Sequence, residues 1–212
     1  LVPDDDVGIV IEDTTSDKAK NLPSFDVPME TSFFTNLLGP TLLSHNHHPQ
    51  QQHGTISSSV PTCKALHNAR LIGLYFSAHW CGPCRSFTPM LCELYTHLKE
   101  EVFSSHGLEI VFVSSDRDDQ SFAHYFGTMP WLAIPYTAGR YLQKSISMSY
   151  GVQGIPSLVI LDALSGQIVV TKEQSRRDIM NACRGGDAAI EDLMKNKWLE
   201  SLSPETMDIY KI

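Results

Sequence analysis

Two thiols lie close together in the segment Trp80-Cys81-Gly82-Pro83-Cys84, the part of the sequence best suited to chemistry. With two residues between them, Cys81 and Cys84 can close a small disulfide ring and reopen it by thiol–disulfide exchange. The segment follows an apolar run and precedes an amphipathic stretch, so Cys81 is expected at the N-terminus of a helix. Unpaired N–H groups and the helix dipole favour a thiolate there, and the thiolate is the form that attacks a disulfide.

The two cysteines are expected to have different tasks. Cys81 would attack a target disulfide and form a mixed disulfide, and Cys84, one turn further on and more buried, would then release the reduced target. Pro83 suits the start of a helix and stiffens the turn, while Trp80 offers partners a flat surface that shields the disulfide. Half a zinc site can have the same spacing, but the chain has no second such pair and its other three cysteines are scattered. No metal site is therefore predicted.

The elements around this segment predict an α/β fold with a central mixed sheet flanked by helices. The run 71–77 is apolar almost throughout, as expected of a strand covered on both faces, and 84 to about 104 has helical spacing with a kink expected at Pro89. A short turn at 162–166 joins two strands, which makes the sheet mixed. Further predicted strands are 41–43, 108–115, 157–161 and 167–170. Further predicted helices are 33–38, 141–150, 187–198 and one that is capped at 116–119 and ends at about 126.

Charge and hydropathy divide the chain into a body and two tails. Of its 212 residues 42% are hydrophobic, enough for a buried core, and no apolar run is long enough to span a membrane. Residues 1–30 carry eight acidic and two basic side chains, which predicts an acidic, disordered tail; a docking arm for a basic partner is the alternative. One domain is predicted at 31–200 and a C-terminal tail at 201–212. The net charge of −8 argues against nucleic-acid binding.

Cysteine usage favours a reducing compartment, because five sparse cysteines do not make a disulfide scaffold. We therefore expect a cytoplasmic or nuclear protein. An organelle stays open, because the chain begins at Leu1 and a targeting segment before it can have been removed. The polar segment 45–54 contains four histidines and is predicted to be a surface loop; metal binding is the alternative, without a cysteine or carboxylate nearby to support it.

Five separate segments carry a resemblance to a known family. In chain order they read GLYFSAHWC (73–81), RSFTP (85–89), VFVSSD (111–116), MPWLA (129–133) and GIPSL (154–158). Together they resemble the tryparedoxin and nucleoredoxin branch of the thioredoxin-like proteins, over about residues 32–172. The resemblance implies a thioredoxin-like fold and a monomer that needs no cofactor besides a redox-active Cys81–Cys84 disulfide. It also implies protein disulfides as substrates and an upstream dithiol donor or reductase as a partner.

The same resemblance assigns further site residues. It implies that Pro156 is cis and lies against the cysteine pair, and that the backbone of Ile155 pairs with an extended substrate chain. It places Trp131 at the rim of the site as a substrate contact, with a core anchor as the alternative. Tyr75 stands where plain thioredoxins have a buried carboxylate, so any proton carrier for the second cysteine must be water or another side chain. Gly82 departs from the Pro usual in this branch and leaves the redox potential and partner choice open.

Two functions are compatible with these features. The first is a dithiol–disulfide oxidoreductase that reduces protein disulfides through the Cys81/Cys84 couple. The alternative is a redox-dependent binding or sensor module of the nucleoredoxin type, which the acidic tail and the polar loop would serve.

Overall fold

A computed structural model of the chain describes residues 30–45, 56–99, 107–202 and 204–209. Three predictions fall wholly or largely outside the described residues: the acidic tail, the polar histidine loop, and the end of the helix predicted to reach about residue 104. The described residues form three layers, with one sheet between two groups of helices.

The described strands form one seven-stranded mixed sheet, which confirms the predicted sheet type. In chain order they are β1 (Thr41–His45), β2 (Ile56–Pro61), β3 (Leu71–Ser77), β4 (Leu108–Ser114), β5 (Leu132–Ala133), β6 (Ser157–Asp162) and β7 (Ile168–Val170). Their order across the sheet is β2-β1-β5-β4-β3-β6-β7. β3 is parallel to β4 and antiparallel to β6, and β6 and β7 pair antiparallel across the predicted short turn.

Helices cover both faces of the sheet. They are α1 (Glu30–Leu38), α2 (Thr62–Ala65), α3 (Gly82–His97), α4 (Asp119–Phe126), α5 (Tyr136–Ser149), α6 (Lys172–Gly185), α7 (Asp187–Leu193) and α8 (Pro204–Ile209), with a π turn at Met194–Trp198 and a 3-10 turn at Leu199–Ser201. α1, α2 and α5 pack on one face, and α3, α4, α6 and α7 pack on the other, because alternate side chains of a strand point to opposite faces. None of the helices in the described part of the chain is long and apolar enough to cross a membrane.

The strand that leads to the cysteine pair is the most deeply buried part of the sheet. Every residue of β3 is buried, with Leu71 and Tyr75 in the core on the α3 side and Ile72 in the opposite core. Because β3 ends at Ser77 and α3 begins at Gly82, the cysteine segment is held between two rigid elements. α3 thus begins at Gly82, two residues before the start that the sequence predicts.

Two of the longer helices differ from the sequence prediction, and the short α2 was not predicted either. The helix predicted at 141–150 begins at Tyr136, because its first turns place small residues such as the buried Gly139 where the pattern requires large apolar ones. α6 was not predicted, because its inward face has helical spacing but is half polar. Its buried residues are Ser175, Asp178, Ile179 and Ala182.

The segment predicted as a C-terminal tail packs partly on the domain. Residues Pro204–Ile209 form α8, and the buried Thr206 donates a hydrogen bond to Asp162 at the end of β6 over 2.7 Å. Leu202 is also buried. The folded body therefore continues past residue 200 and includes α8.

Candidate active site

The cysteine pair occupies the start of α3. Cys81 is the N-cap residue, Pro83 lies in the first turn, and a disulfide joins Cys81 to Cys84 with their Cα atoms 5.2 Å apart. The backbone N–H of Cys84 donates a hydrogen bond to Cys81 Sγ over 3.2 Å. This contact gives the Cys81 sulfur one of the unpaired helix N–H groups, which stabilises negative charge on it once the disulfide is reduced.

The two sulfur-bearing residues differ in access to solvent. Cys81 is 6% exposed and Cys84 is 0% exposed. A target disulfide can therefore approach only Cys81, while Cys84 is kept one helical turn away as the second thiol. Gly82, between them, has open space where a Cβ would stand, so the fold does not require glycine there.

Trp80 forms an exposed wall beside the disulfide. The side chain is 51% exposed, and its Nε1–H donates a hydrogen bond to the carbonyl oxygen of Ser115 over 3.0 Å. The guanidinium of Arg117 lies 5.5 Å from the indole ring. The hydrogen bond and the guanidinium hold the indole ring in place. The ring therefore presents an apolar face to solvent next to the reactive sulfur.

The Ile155-Pro156 pair lies against the cysteines, as the resemblance implies. The peptide bond between them is cis, and the Ile155 carbonyl oxygen is 3.8 Å from Cys81 Sγ. Ile155 is half-buried and packs against the small cluster of Ala78, Cys81 and Cys84. A polypeptide bound to Cys81 would meet this backbone first.

Trp131 does not lie at the rim of the site, so its predicted role as a substrate contact is wrong. It is 2% exposed, and its ring packs edge-on against Tyr75, 5.8 Å between centroids, and Tyr95, 5.7 Å between centroids. The side chain anchors the core beneath α3, which was the alternative interpretation. Sequence alone did not separate the two, because the tryptophan follows a short helix and precedes a short strand in either case.

A buried group of four hydroxyls lies beneath the first turns of α3, and we refer to Tyr75, Ser77, Thr88 and Tyr125 as the hydroxyl cluster. Thr88 Oγ1 is 2.8 Å from Tyr75 Oη and 2.6 Å from Tyr125 Oη. Ser77 Oγ donates to Tyr75 Oη over 3.1 Å and lies 3.0 Å from Tyr125 Oη. Thr88 Oγ1 also donates to the Cys84 carbonyl oxygen over 3.0 Å, which ties the cluster to the second cysteine.

The hydroxyl cluster has more contacts than hydrogens. Five contacts share four hydroxyl hydrogens, because each hydroxyl carries only one. The Thr88 hydrogen can serve the Cys84 carbonyl or Tyr125, but not both at once. Burial raises the pKa of Tyr75 far above its ordinary value, so its hydroxyl stays protonated. The sequence offered one signal for this group: Thr88 follows Cys84 by one helical turn.

A carboxylate that sequence reasoning missed holds the loop before the cysteines. Asp116 accepts hydrogen bonds from the backbone N–H of His79 over 2.7 Å and from Ser114 Oγ over 2.8 Å. Burial raises the pKa of Asp116, and both hydrogen bonds oppose that shift. His79 is half-buried, and its ring packs 5.1 Å from the His124 ring and 6.0 Å from the Tyr125 ring.

The other cysteines lie away from the pair. Cys63, Cys92 and Cys183 are half-buried free thiols. Within the described ranges, no group of three or more histidine, cysteine or acidic side chains could hold a metal ion.

Alkylation of the reduced protein with iodoacetamide at pH 8 is expected to modify Cys81 rapidly and Cys92 very slowly. Burial raises the pKa of Cys92 to about 12, so its thiolate fraction at pH 8 is on the order of 10⁻⁴. Mass spectrometry of timed samples measures both rates, and protein unfolded in urea is the control in which the two rates converge. Equal rates in the folded protein would contradict the assignment of Cys81 as the reactive thiol.

Comparisons with known proteins agree with this geometry. A family model described as thioredoxin-like matches residues 68–168. Among curated relatives, nucleoredoxin of Bos taurus is 46% identical over 116 residues, which are 54% of this chain and 25% of that protein, and tryparedoxin of Trypanosoma brucei brucei is 38% identical over 107 residues, 50% of this chain and 71% of that protein.

Solved structures give the same result. Tryparedoxin I from Crithidia fasciculata superposes with a TM-score of 0.58 at 33% sequence identity and covers 72% of this chain and 94% of its own. The predicted thioredoxin-like fold is therefore confirmed. The chain spans about a quarter of the length of the nucleoredoxins it matches.

Proposed function

The chain belongs to the thioredoxin-like family, in its tryparedoxin and nucleoredoxin branch, and on that basis we propose that it is a dithiol–disulfide oxidoreductase that reduces protein disulfides. The observation that carries the proposal is the Cys81–Cys84 disulfide, in which one sulfur is accessible and lies beside the Ile155 carbonyl. A client chain that pairs in extended form with the backbone at Ile155 would bring its own disulfide to Cys81.

The reaction proceeds in two exchanges. The Cys81 thiolate attacks one sulfur of the client disulfide, a bond forms between the two sulfurs, and the other client sulfur leaves as a thiolate that takes a proton from water. Cys84 then loses its proton, its thiolate attacks Cys81 Sγ, and the mixed disulfide breaks. The second client sulfur leaves and is protonated in turn. The client gains two electrons and two protons, and this protein is left with the Cys81–Cys84 disulfide.

The oxidised pair must be reduced before the next cycle, which requires a second partner. We infer an upstream dithiol donor or reductase that attacks the same accessible sulfur. The two cysteines hold both electrons, so the proposal includes no metal and no further cofactor. It places the domain, acting as a monomer, in a reducing compartment such as the cytoplasm or the nucleus, where an upstream donor can keep the pair reduced.

Insulin reduction by dithiothreitol tests the proposal. The wild-type chain is expected to accelerate the appearance of turbidity, and Cys81→Ser is expected to match dithiothreitol alone, because the accessible nucleophile is gone. Cys63→Ser, the same substitution at a cysteine on α2, is the control and should keep the wild-type rate. Equal rates for the wild type and Cys81→Ser would refute the proposal.

A further inference from the structure

A groove runs along α5 beside the disulfide, and we call it the α5 groove. It has a volume of about 420 Å³. Residues that line it include Trp80, Ser115, Gln143, Lys144, Met148 and Ile155. Since Trp80 and Ile155 also flank Cys81, the groove lies next to the reactive cysteine.

Two large apolar side chains of the groove are left in water. Trp80 is 51% exposed and Met148 is 74% exposed. They lie on different elements, the loop before α3 and the last turns of α5, and face the same space. Exposed apolar groups that converge on one concave surface are typical of a surface that contacts a partner.

The charge of the α5 groove is positive. Lys144 is the one charged residue among the described residues that line it. An adjoining cavity of about 220 Å³ shares Ser115 and Gln143 with the groove and adds Arg140 and Asp116. Arg140 and Lys144 are exposed, whereas Asp116 is 9% exposed and already accepts two hydrogen bonds.

The helix that borders the groove carries only positive charge. α5 contains two bases and no acidic residue, and no aspartate or glutamate occurs from Gln120 to Leu161. Arg117 adds a cation at the Trp80 ring, but the exposed Asp118 and Asp119 follow it, so the positive excess is that of α5. This local excess of positive charge contrasts with the net charge of −8 for the whole chain. An acidic ligand therefore meets a favourable local charge at α5, although the chain as a whole is acidic.

We propose that the α5 groove binds an acidic segment of the client polypeptide next to the cysteine under attack, with client carboxylates facing Lys144 and Arg140. The inference rests on the proposed function and adds a substrate class to it. Spacing supports an extended occupant: residues four apart on a helix are separated by about 6 Å along its axis. Alternate side chains of an extended chain are about 6.6 Å apart, so acidic residues at alternate positions can meet both bases.

Two disulfide-linked peptides test the inference. The two peptides differ only at the residues immediately before and after the attacked cysteine. Both of these residues are Glu in one peptide and Lys in the other. The wild-type chain is expected to reduce the Glu peptide with a KM roughly tenfold below that of the Lys peptide and with a similar kcat, since two partly exposed ion pairs contribute to binding alone. Added salt should shrink the difference.

The double variant Arg140→Glu, Lys144→Glu is expected to reverse the preference. Lys64→Glu makes the same kind of charge change on α2, away from the groove, and should keep the wild-type preference. Equal KM values for the two peptides in the wild type, or an unchanged preference in the double variant, would overturn the inference and leave the proposed function standing. Failure to reduce either peptide would instead remove the proposed function.

Discussion

Replacing Cys84 with Ser is expected to reduce disulfide turnover on the order of 100-fold or more, because the second thiol acts from a fixed position beside the first. Cys81 keeps its place at the N-cap of α3 and its exposed edge in this variant, so the first attack on the client remains possible. The mixed disulfide then persists, since no thiol remains one turn away to break it. Non-reducing electrophoresis with insulin or a lysate should show a covalent client adduct that dithiothreitol releases.

Matched variants make this result specific. Cys183→Ser changes a half-buried cysteine outside the pair and should give wild-type turnover and no adduct. Cys81→Ser should give neither turnover nor adduct. Wild-type turnover by Cys84→Ser would rule out the proposed second exchange. Partners that the Cys81→Ser, Cys84→Ser double variant retains would instead support the redox-dependent binding module.

Asp178→Ala is expected to lower the free energy of unfolding by about 3 kcal/mol, because it removes a buried carboxylate that three donors share. Asp178 lies on α6 and is 5% exposed. Its oxygens accept hydrogen bonds from Trp198 Nε1 over 3.0 Å, Lys197 Nζ over 2.5 Å and Gln174 Nε2 over 2.6 Å. Without the carboxylate, the fully buried indole N–H of Trp198 loses its partner. Urea unfolding at pH 7 measures the change.

Two further variants separate the lost acceptor from other effects. Asp178→Asn keeps an oxygen for the indole N–H but loses the charge and turns an NH2 group toward the donors of Lys197 and Gln174, so its cost should lie between zero and that of Asp178→Ala. Asp192→Ala removes an exposed carboxylate that bonds Asn196 on the same stretch of helix, and its effect is expected within about 0.5 kcal/mol. If Asp178→Ala lowers the free energy of unfolding no more than Asp192→Ala does, the buried carboxylate of Asp178 contributes little to stability.

The parts of the site that sequence could predict are local in the chain. The Cys81–Cys84 spacing, Pro83 and the apolar run of β3 all act through neighbours within a few residues, so their geometry follows from the strand and helix that contain them. The Ile155-Pro156 element lies far along the chain, and its position came from the family resemblance and not from any periodicity.

The remainder of the site depends on tertiary contacts that no periodicity reports. The hydroxyl cluster brings together side chains from β3, α3 and α4, and the α5 groove combines α5 with the loops around Trp80 and Ile155. Trp131 shows the same limit, because a large aromatic residue is equally compatible with a rim and with a core. In the folded chain Trp131 lies in the core, where its ring packs against the rings of Tyr75 and Tyr95.

The same distinction holds for the fold. β3, β4 and β6 were predicted because their buried faces are built from large apolar residues. α6 escaped prediction because two of its inward residues, Ser175 and Asp178, are satisfied by hydrogen bonds that only the folded chain supplies. From sequence alone, a buried polar residue cannot be distinguished from an exposed one, because its hydrogen-bond partner is not known.

The hydrogens of the hydroxyl cluster can be arranged in more than one way beneath the disulfide. When Thr88 donates to Tyr125, Tyr125 can donate to Ser77; when Thr88 donates to the Cys84 carbonyl, Tyr125 can donate to Thr88. Rotation of two hydrogens therefore reorients the dipoles under Cys84 while every heavy atom stays in place. In the proposed thiol–disulfide exchange, negative charge forms and disappears on the sulfurs, and the cluster can reorient its dipoles in response without movement of the rigid core.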